Sequence, residues 1–408
     1  MSEATFGDLA SKRVLTLNDG YRTKKSELGS PGYRILRVAD FKDFSIRADG
    51  EDYVREELRG PIGAKLSEPG DVILSTKGTV GRVAICPDDL EQVVYSPQLC
   101  FFRVQDCEVL DVRYLAYWMK SPQFTRQLFD RASSTDMAPY VSLRDLRQVK
   151  MQLPKIQDQR AIAEVLGALD DKIAANERVA AALQSLLAVE SARVVAMAES
   201  SVPLKSCARV VKGVSYRSGD LKSSSTALVT LKSITRNGDF SGDGFKEYVG
   251  KYSSDQLVRA GDIVVAQTDL TQGGEVIGRA VRVPSGDRYA ALVASLDLAI
   301  IKPLDNLPPE YLLAVLRGRG FRAHCASYAS GTTVLHLGRG AFDTYEVPLA
   351  APGIVGKYAA FASSIHEYLD AVDADSRELA TTRDQLLPLL MSGKVTVKDA
   401  EDEVGGLV

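Results

Sequence analysis

Leu153-Pro154-Lys155-Ile156-Gln157-Asp158-Gln159-Arg160-Ala161-Ile162-Ala163 opens a stretch that runs to Glu199, with no proline between Pro154 and Pro203. Ile162, Leu166, Leu169, Ile173, Ala180, Leu183 and Leu187 recur in alternating steps of four and three, and Asn176 falls in the same series. Such a seam predicts a coiled-coil helix, not the apolar face of an ordinary globular one. Pro154 keeps the residue before it extended and Asp158 offers an acceptor in the first turn, so the helix is expected to start near Gln157. At about 1.5 Å per residue, roughly 40 residues make a rod on the order of 60 Å long. Asn176 has two readings: a buried amide that fixes register by demanding one partner, or a residue solvated at a loose point of the seam. Ala161, Ala163, Ala168, Ala174, Ala175, Ala181, Ala182 and Ala188 favour helix and permit close approach by a second one.

That second helix is predicted near the other end of the chain. From Tyr358, the residues Phe361, Ile365, Tyr368, Val372, Asp375, Leu379, Thr382, Leu386 and Leu389 repeat the alternation until Ser392-Gly393. An antiparallel pair within the chain is the simplest way to bury both seams.

Between the two rods the sequence repeats itself. Ala227-Leu228-Val229-Thr230-Leu231 answers the strand-like Tyr33–Val38. Gly261-Asp262-Ile263-Val264-Val265 answers Gly70-Asp71-Val72-Ile73-Leu74, and Ile277-Gly278-Arg279 answers Val80-Gly81-Arg82. Tyr311-Leu312 answers Tyr114-Leu115, in a helix expected from Val112 to Met119, and Val347-Pro348 answers Leu153-Pro154. A nearly constant offset across these landmarks reads as a tandem duplication of one unit, a strand-rich globular domain followed by a rod. The fold class expected is α+β, with boundaries at 1–152, 153–199, 200–352, 353–394 and an acidic tail at 395–408. A duplicated reader suits a ligand with two sites at fixed spacing, as duplex DNA provides, and a duplicated protein scaffold satisfies the same logic.

The 408 residues suffice for two or three compact units. No continuous 18-residue apolar run occurs, and Met1-Ser2-Glu3-Ala4-Thr5-Phe6 lacks a secretory pattern, so a soluble cytoplasmic protein is expected. The five cysteines include no Cys-x-x-Cys pair and read as reduced thiols. A net charge of −3 argues against a nucleic-acid partner until it is counted by segment. Residues 200–352 hold 18 basic and 14 acidic side chains, whereas residues 155–199 hold 5 and 7 and residues 355–392 hold 3 and 6. Acid gathers on the rods, leaving the second globular unit basic.

With these landmarks assembled, the sequence resembles the specificity (S) subunit of type I restriction-modification systems. The resemblance rests on Pro154 with Asp158-Gln159-Arg160-Ala161-Ile162-Ala163, Leu166, Leu169-Asp170 and Ile173, on Gly70-Asp71-Val72-Ile73 with Gly78-Thr79-Val80-Gly81-Arg82, and on Leu386-Leu387-Pro388-Leu389-Leu390-Met391-Ser392-Gly393-Lys394. It implies two target recognition domains, each reading half of a split double-stranded DNA target, with the paired helices setting the gap. It also implies two methyltransferase (M) subunits held on those helices, through Gln157, Asp158, Gln159, Ile162 and Asp170 here, and a motor-nuclease (R) subunit that can join. The S subunit has no catalysis or cofactor of its own; S-adenosylmethionine belongs to the M partner. The second repeat departs from the pattern, with Gly353-Ile354-Val355-Gly356 where the first has Gln157-Asp158-Gln159.

DNA reading requires polar side chains for base edges and small residues or amides for phosphates. The loops after the Gly-Asp strands offer Ser75, Thr76, Lys77, Thr79 and Arg82, and Gln267, Thr268, Thr271, Gln272 and Arg279. The alternative is that these loops are hairpin turns with structurally packed arginines. Arg236-Asn237-Gly238 reads as a turn. Enzyme signatures are thin: Gly318-Arg319-Gly320-Phe321-Arg322-Ala323 follows a helical run and not a strand, no Walker loop occurs, and His324, His336 and His366 lack metal spacing. The competing reading is a coiled-coil assembly scaffold without sequence-specific DNA reading.

Overall fold

The computed structural model describes residues 2–42, 44–46, 50–132, 139–271, 273–286, 288–338 and 340–405, a mixed α/β chain dominated by two helices of 41 residues, Ile156–Ala196 and Pro352–Ser392. It divides into two units, the first made of residues 1–174 and 378–408 and the second of residues 175–377. Each unit therefore takes a segment of both long helices, a division that cuts across the linear boundaries expected from the sequence.

In the first unit a four-stranded antiparallel sheet has the order Leu15–Asp19, Leu99–Val104, Val72–Ser75, Val83–Ile85. A smaller sheet pairs Gly32–Leu36 with Val93–Tyr95 in parallel and with Tyr53–Arg55 antiparallel. Ser2–Thr5 and Lys150–Leu153 form a ladder that closes the globular part just before the first long helix. Helices Val112–Lys120 and Pro122–Arg131 are capped by Asp111 and Ser121, whose side chains accept from the first-turn amides of Tyr114 and Phe124. They pack Trp118 and Phe124 against Phe6, with ring centroids 5.7 and 6.5 Å away. Ile162, Leu166 and Leu169 of the first long helix and Leu379, Leu386, Leu390 and Met391 of the second lie in the same core. Burying each large apolar side chain contributes roughly 1.5–3 kcal/mol, so the helix segments are integral to this unit. Residues expected as an acidic tail form a helix, Val397–Val404, started by a Thr396–Asp399 capping box, and bury Ala400 and Val404 in that core.

The second unit has the same order of four antiparallel strands: Ala208–Lys212, Leu298–Pro303, Ile263–Ala266, Ala280–Arg282. Thr226–Val229 again pairs in parallel with a later strand, Ala291–Ala294, and Ser200–Pro203 pairs with Glu346–Leu349. A close approach recurs as well: a Cβ at Gly20 would meet the Ser96 carbonyl oxygen at 1.9 Å, and one at Gly213 the Ser295 oxygen at 1.9 Å. The core gathers Phe321, Tyr311 and Cys325 with Leu187 and Val194 from the first long helix and Val355, Tyr358 and Ala362 from the second.

The helices depart from the simple seam in two ways. Gly353 and Gly356 do not delay the second helix, which starts at Pro352, where a fixed φ and a missing N–H suit the first turn. Its buried positions include Ala362, His366 and Arg383, while Tyr368 of the expected seam is 54% exposed. A straight helix of 3.6 residues per turn drifts off a strict seven-residue repeat. Among the described residues one helix, Ile156–Ala196, is long and apolar enough to span a membrane by length and composition alone. Val179, Leu186 and Val189 are 41, 45 and 65% exposed. With Ala182 they fall within an arc of about 80° at 3.6 residues per turn, an apolar stripe on one helix face.

Candidate nucleic-acid interface

Each unit carries a loop leaving the third strand of its main sheet. In the first, Gly81 takes φ +97° and donates its amide to the Ser75 carbonyl at 2.9 Å; in the second, Gly278 takes φ +72° and donates to Ala266 at 2.9 Å. Both backbones are in the left-handed region that glycine enters without steric cost. Both loops are bonded to a segment that follows the two short helices: Val141 donates to Thr76 at 2.9 Å, and Leu337 donates to Gln267 at 2.8 Å.

Within this common frame the nominated residues divide. Ser75 is buried and its hydroxyl donates to the Thr79 carbonyl at 2.5 Å while accepting from the Arg82 amide at 2.8 Å. Thr76 is also buried, its hydroxyl 3.2 Å from the Gln98 carbonyl. These two build the turn. Lys77 is half-buried and bridges to Tyr140, whereas Thr79 and Arg82 are exposed, Arg82 also donating to the Val38 carbonyl at 3.0 Å. In the second unit Thr268 donates to Asp297 at 2.9 Å and Gln267 is half-buried beside the Leu296 carbonyl. Thr271 and Arg279 are half-buried, and Gln272 lies outside the described residues.

The residue that organises the second loop is Asp269, which was not among those nominated. It is 1% exposed and accepts from the Thr271 amide and hydroxyl at 2.7 Å each, the Val276 amide at 2.5 Å and the Ile277 amide at 2.9 Å. Burial pushes its carboxyl up, but the bonds from Thr271, Val276 and Ile277 outweigh it and hold the group below the ordinary aspartate value. Asp269-Leu270-Thr271 is an Asx turn, and the Asp-x-Thr spacing before Gly273-Gly274 is the signal that points to it. Leu270, at the tip of the clamped loop, is 70% exposed.

The nominated partner-binding residues divide too. Gln157 and Asp158 are exposed. Gln159 is fully buried: its carbonyl accepts from the Asp111 amide at 3.0 Å, and its NH2 donates to the Val109 and Pro154 carbonyls at 3.0 Å each. Ile162 sits in the core. Asp170 accepts from the buried Arg383 at 2.6 Å and from the Tyr117 hydroxyl at 2.6 Å. Gln159, Ile162 and Asp170 thus hold the long helices to the first unit. No group of three or more His, Cys, Asp or Glu side chains fit to hold a metal occurs among the described residues.

Comparison with known proteins agrees with the resemblance read from the sequence. Residues 7–185 match the family model described as Type I restriction modification DNA specificity domain. The chain is 24% identical over 168 residues to the type I restriction enzyme MjaVIII specificity subunit of Methanocaldococcus jannaschii, an alignment covering 40% of this chain and 39% of that protein. The chain thus spans about two fifths of the length of the curated relative it matches. The fold is similar to a crystal structure of the type I restriction-modification system S subunit from M. genitalium, with 13% identity, 95% of each chain covered and a TM-score of 0.58.

Proposed function

We propose that the chain, whose residues 7–185 match the type I restriction-modification DNA specificity domain, is a non-catalytic DNA-recognition subunit of such a system, each unit reading one half of a split double-stranded target. The observation that carries this is the shared strand order of the two units, each ending its third strand in a glycine-turned loop with different polar residues. The units are then duplicated readers with different half-sites. The two long helices pair antiparallel as a coiled coil and set the spacing between the half-sites. Contacts in both units support that pairing. Asp170 meets Arg383 in the first, and in the second Asn176 meets Asp375 and Ser191 meets Tyr358, so numbers rise along one helix as they fall along the other.

Two methyltransferase subunits dock on the helices, with S-adenosylmethionine bound by them and not by this chain, and a motor-nuclease subunit can join the cytoplasmic complex. The exposed Gln157 and Asp158, and the stripe of Val179, Ala182, Leu186 and Val189, are the surfaces offered to them. The test is DNA binding by the chain with its methyltransferase partner as salt rises from about 50 to 200 mM. Phosphate contacts release counterions, so affinity should fall by orders of magnitude. A complex that assembles but binds duplex with no salt dependence would support the assembly-scaffold reading instead.

A further inference from the structure

Four arginines distant in sequence converge beside the base of the second unit's loop. Arg279 follows the Gly278 turn, Arg317 ends helix Pro309–Arg317, Arg322 lies in the first turn of helix Arg319–Ser327, and Arg236 sits in the turn before Gly238. Arg279 Nε donates to the Glu275 carbonyl at 2.6 Å and Arg322 Nη2 donates to the same oxygen at 3.1 Å. Arg317 Nη2 donates to the Gly238 carbonyl at 3.3 Å, and Arg279 Nη1 lies 3.0 Å from where a Cβ on Gly238 would stand. Arg279 is thus held between Arg317 and Arg322. Two carboxylates oppose the four guanidiniums: Glu275 pairs with Arg236 at 2.9 Å, and Asp239 lies 3.5 Å from Arg317.

Like charges gathered around shared carbonyls repel one another, an arrangement that an anion relieves. Burial first, and then the charges of Arg322 and Arg317, hold Arg279 below the ordinary guanidinium value, against the opposing effect of Asp239 and Glu275. Arg236, Arg317 and Arg322 are exposed, so the cluster is open to a ligand. Among the described residues the first unit has no such cluster. There Arg82 turns to the Val38 carbonyl, Lys120 lies 3.9 Å from the centre of the Phe44 ring, and Thr125 follows the buried Phe124 where Arg322 follows the buried Phe321.

We infer that Arg279, Arg317 and Arg322, with Arg236 at the rim, clamp a backbone phosphate of duplex DNA beside the half-site read by the second unit. The inference rests on the DNA-recognition reading and adds a division of labour to it: the loop tip carried by Asp269 faces bases, and the arginines fix its position on the backbone. Guanidinium suits this role because its fork matches phosphate oxygens.

The test uses the full chain in complex with its methyltransferase partner and two labelled duplexes, one bearing the target mapped by methylation and one with that target scrambled. The double variant Arg317→Gln/Arg322→Gln should weaken both duplexes by similar factors and lower the slope of log affinity against log salt by about 1, leaving the methylated motif unchanged. The Arg317→Lys/Arg322→Lys variant, which keeps the charge, should recover most of the slope, separating lost charge from lost fold. An unchanged slope in the Gln variant, or a loss confined to the target duplex, overturns the clamp alone. A wild-type complex with no salt slope overturns the clamp together with the recognition reading.

Discussion

The side-chain amide of Asn176 donates to the carboxylate of Asp375 at 2.7 Å and to the Ser376 hydroxyl at 3.1 Å, joining the two long helices within the second unit. Asn176 is the polar member of the first series and Asp375 the charged member of the second, and they find each other. Slipping one helix by a turn would leave both without this partner. Replacing Asn176 with Ala should cost about 1.5–3 kcal/mol, the range for a hydrogen bond to a charged group, measured by urea unfolding. Asn176→Asp sets a second carboxylate against Asp375 and should cost more at neutral pH.

Gln159 separates an internal role from an external one. Its three bonds to Asp111, Val109 and Pro154 tie the start of the first long helix to the globular part, so Gln159→Ala leaves buried groups unpaired and should destabilise the isolated chain by about 2–3 kcal/mol. Gln157→Ala and Asp158→Ala, at exposed positions, should change stability by less than about 0.5 kcal/mol and lower co-purification of the methyltransferase partner.

Asp269→Asn removes the charge that gathers the Thr271, Val276 and Ile277 donors. Because the folded carboxyl lies below its unfolded value of about 3.9, its contribution is complete above that pH and is lost as pH falls through the folded value. The variant should therefore unfold more easily at neutral pH, with the difference from wild type narrowing in strong acid. In a methylation assay it should relax one half of the target and spare the other.

His366 adds a second pH dependence. Burial, and then the charges of Arg282 and Arg317, push its imidazole down to about 4, only partly offset by Asp370, which itself pairs with Arg282 at 2.8 Å. An unfolded imidazole titrates near 6.5, so between about pH 6.5 and 4 the unfolded chain binds a proton that the folded chain does not. The stabilisation is whole above about pH 6.5 and fades as pH falls toward 4, by something on the order of 3 kcal/mol. Urea unfolding across that window should show the slope in wild type and a much shallower one in His366→Leu.

Much of this was legible in the sequence. Alternation of four and three gave the long helices, and the paired Gly-Asp and Gly-Arg landmarks marked loops that the structure places at matching points of two sheets with one strand order. What stayed hidden was polar burial. His366, Arg383 and Gln159 are as buried as their apolar neighbours, yet a hydrophobicity pattern counts them as surface, because tertiary structure alone supplies the partners of Gln159 and Arg383 and the buried setting that keeps His366 neutral. The arginine cluster was hidden for a related reason. Arg236, Arg279, Arg317 and Arg322 span a long separation in sequence, and two of them, Arg236 and Arg322, sat in motifs that read as a turn and a failed dinucleotide fingerprint. Ser75 and Thr76 show the reverse: residue types suited to phosphate are spent on closing their own loop.

Whether one chain reads two DNA half-sites at a fixed spacing is tested most directly by mapping methylated adenines across a genome after co-expression with the methyltransferase partner. A chain with two readers should yield one split motif, two short specific blocks separated by a constant number of unread base pairs, with Asp269→Asn degrading one block only. A stable complex that methylates with no split motif, or a motif whose gap varies from site to site, would contradict it.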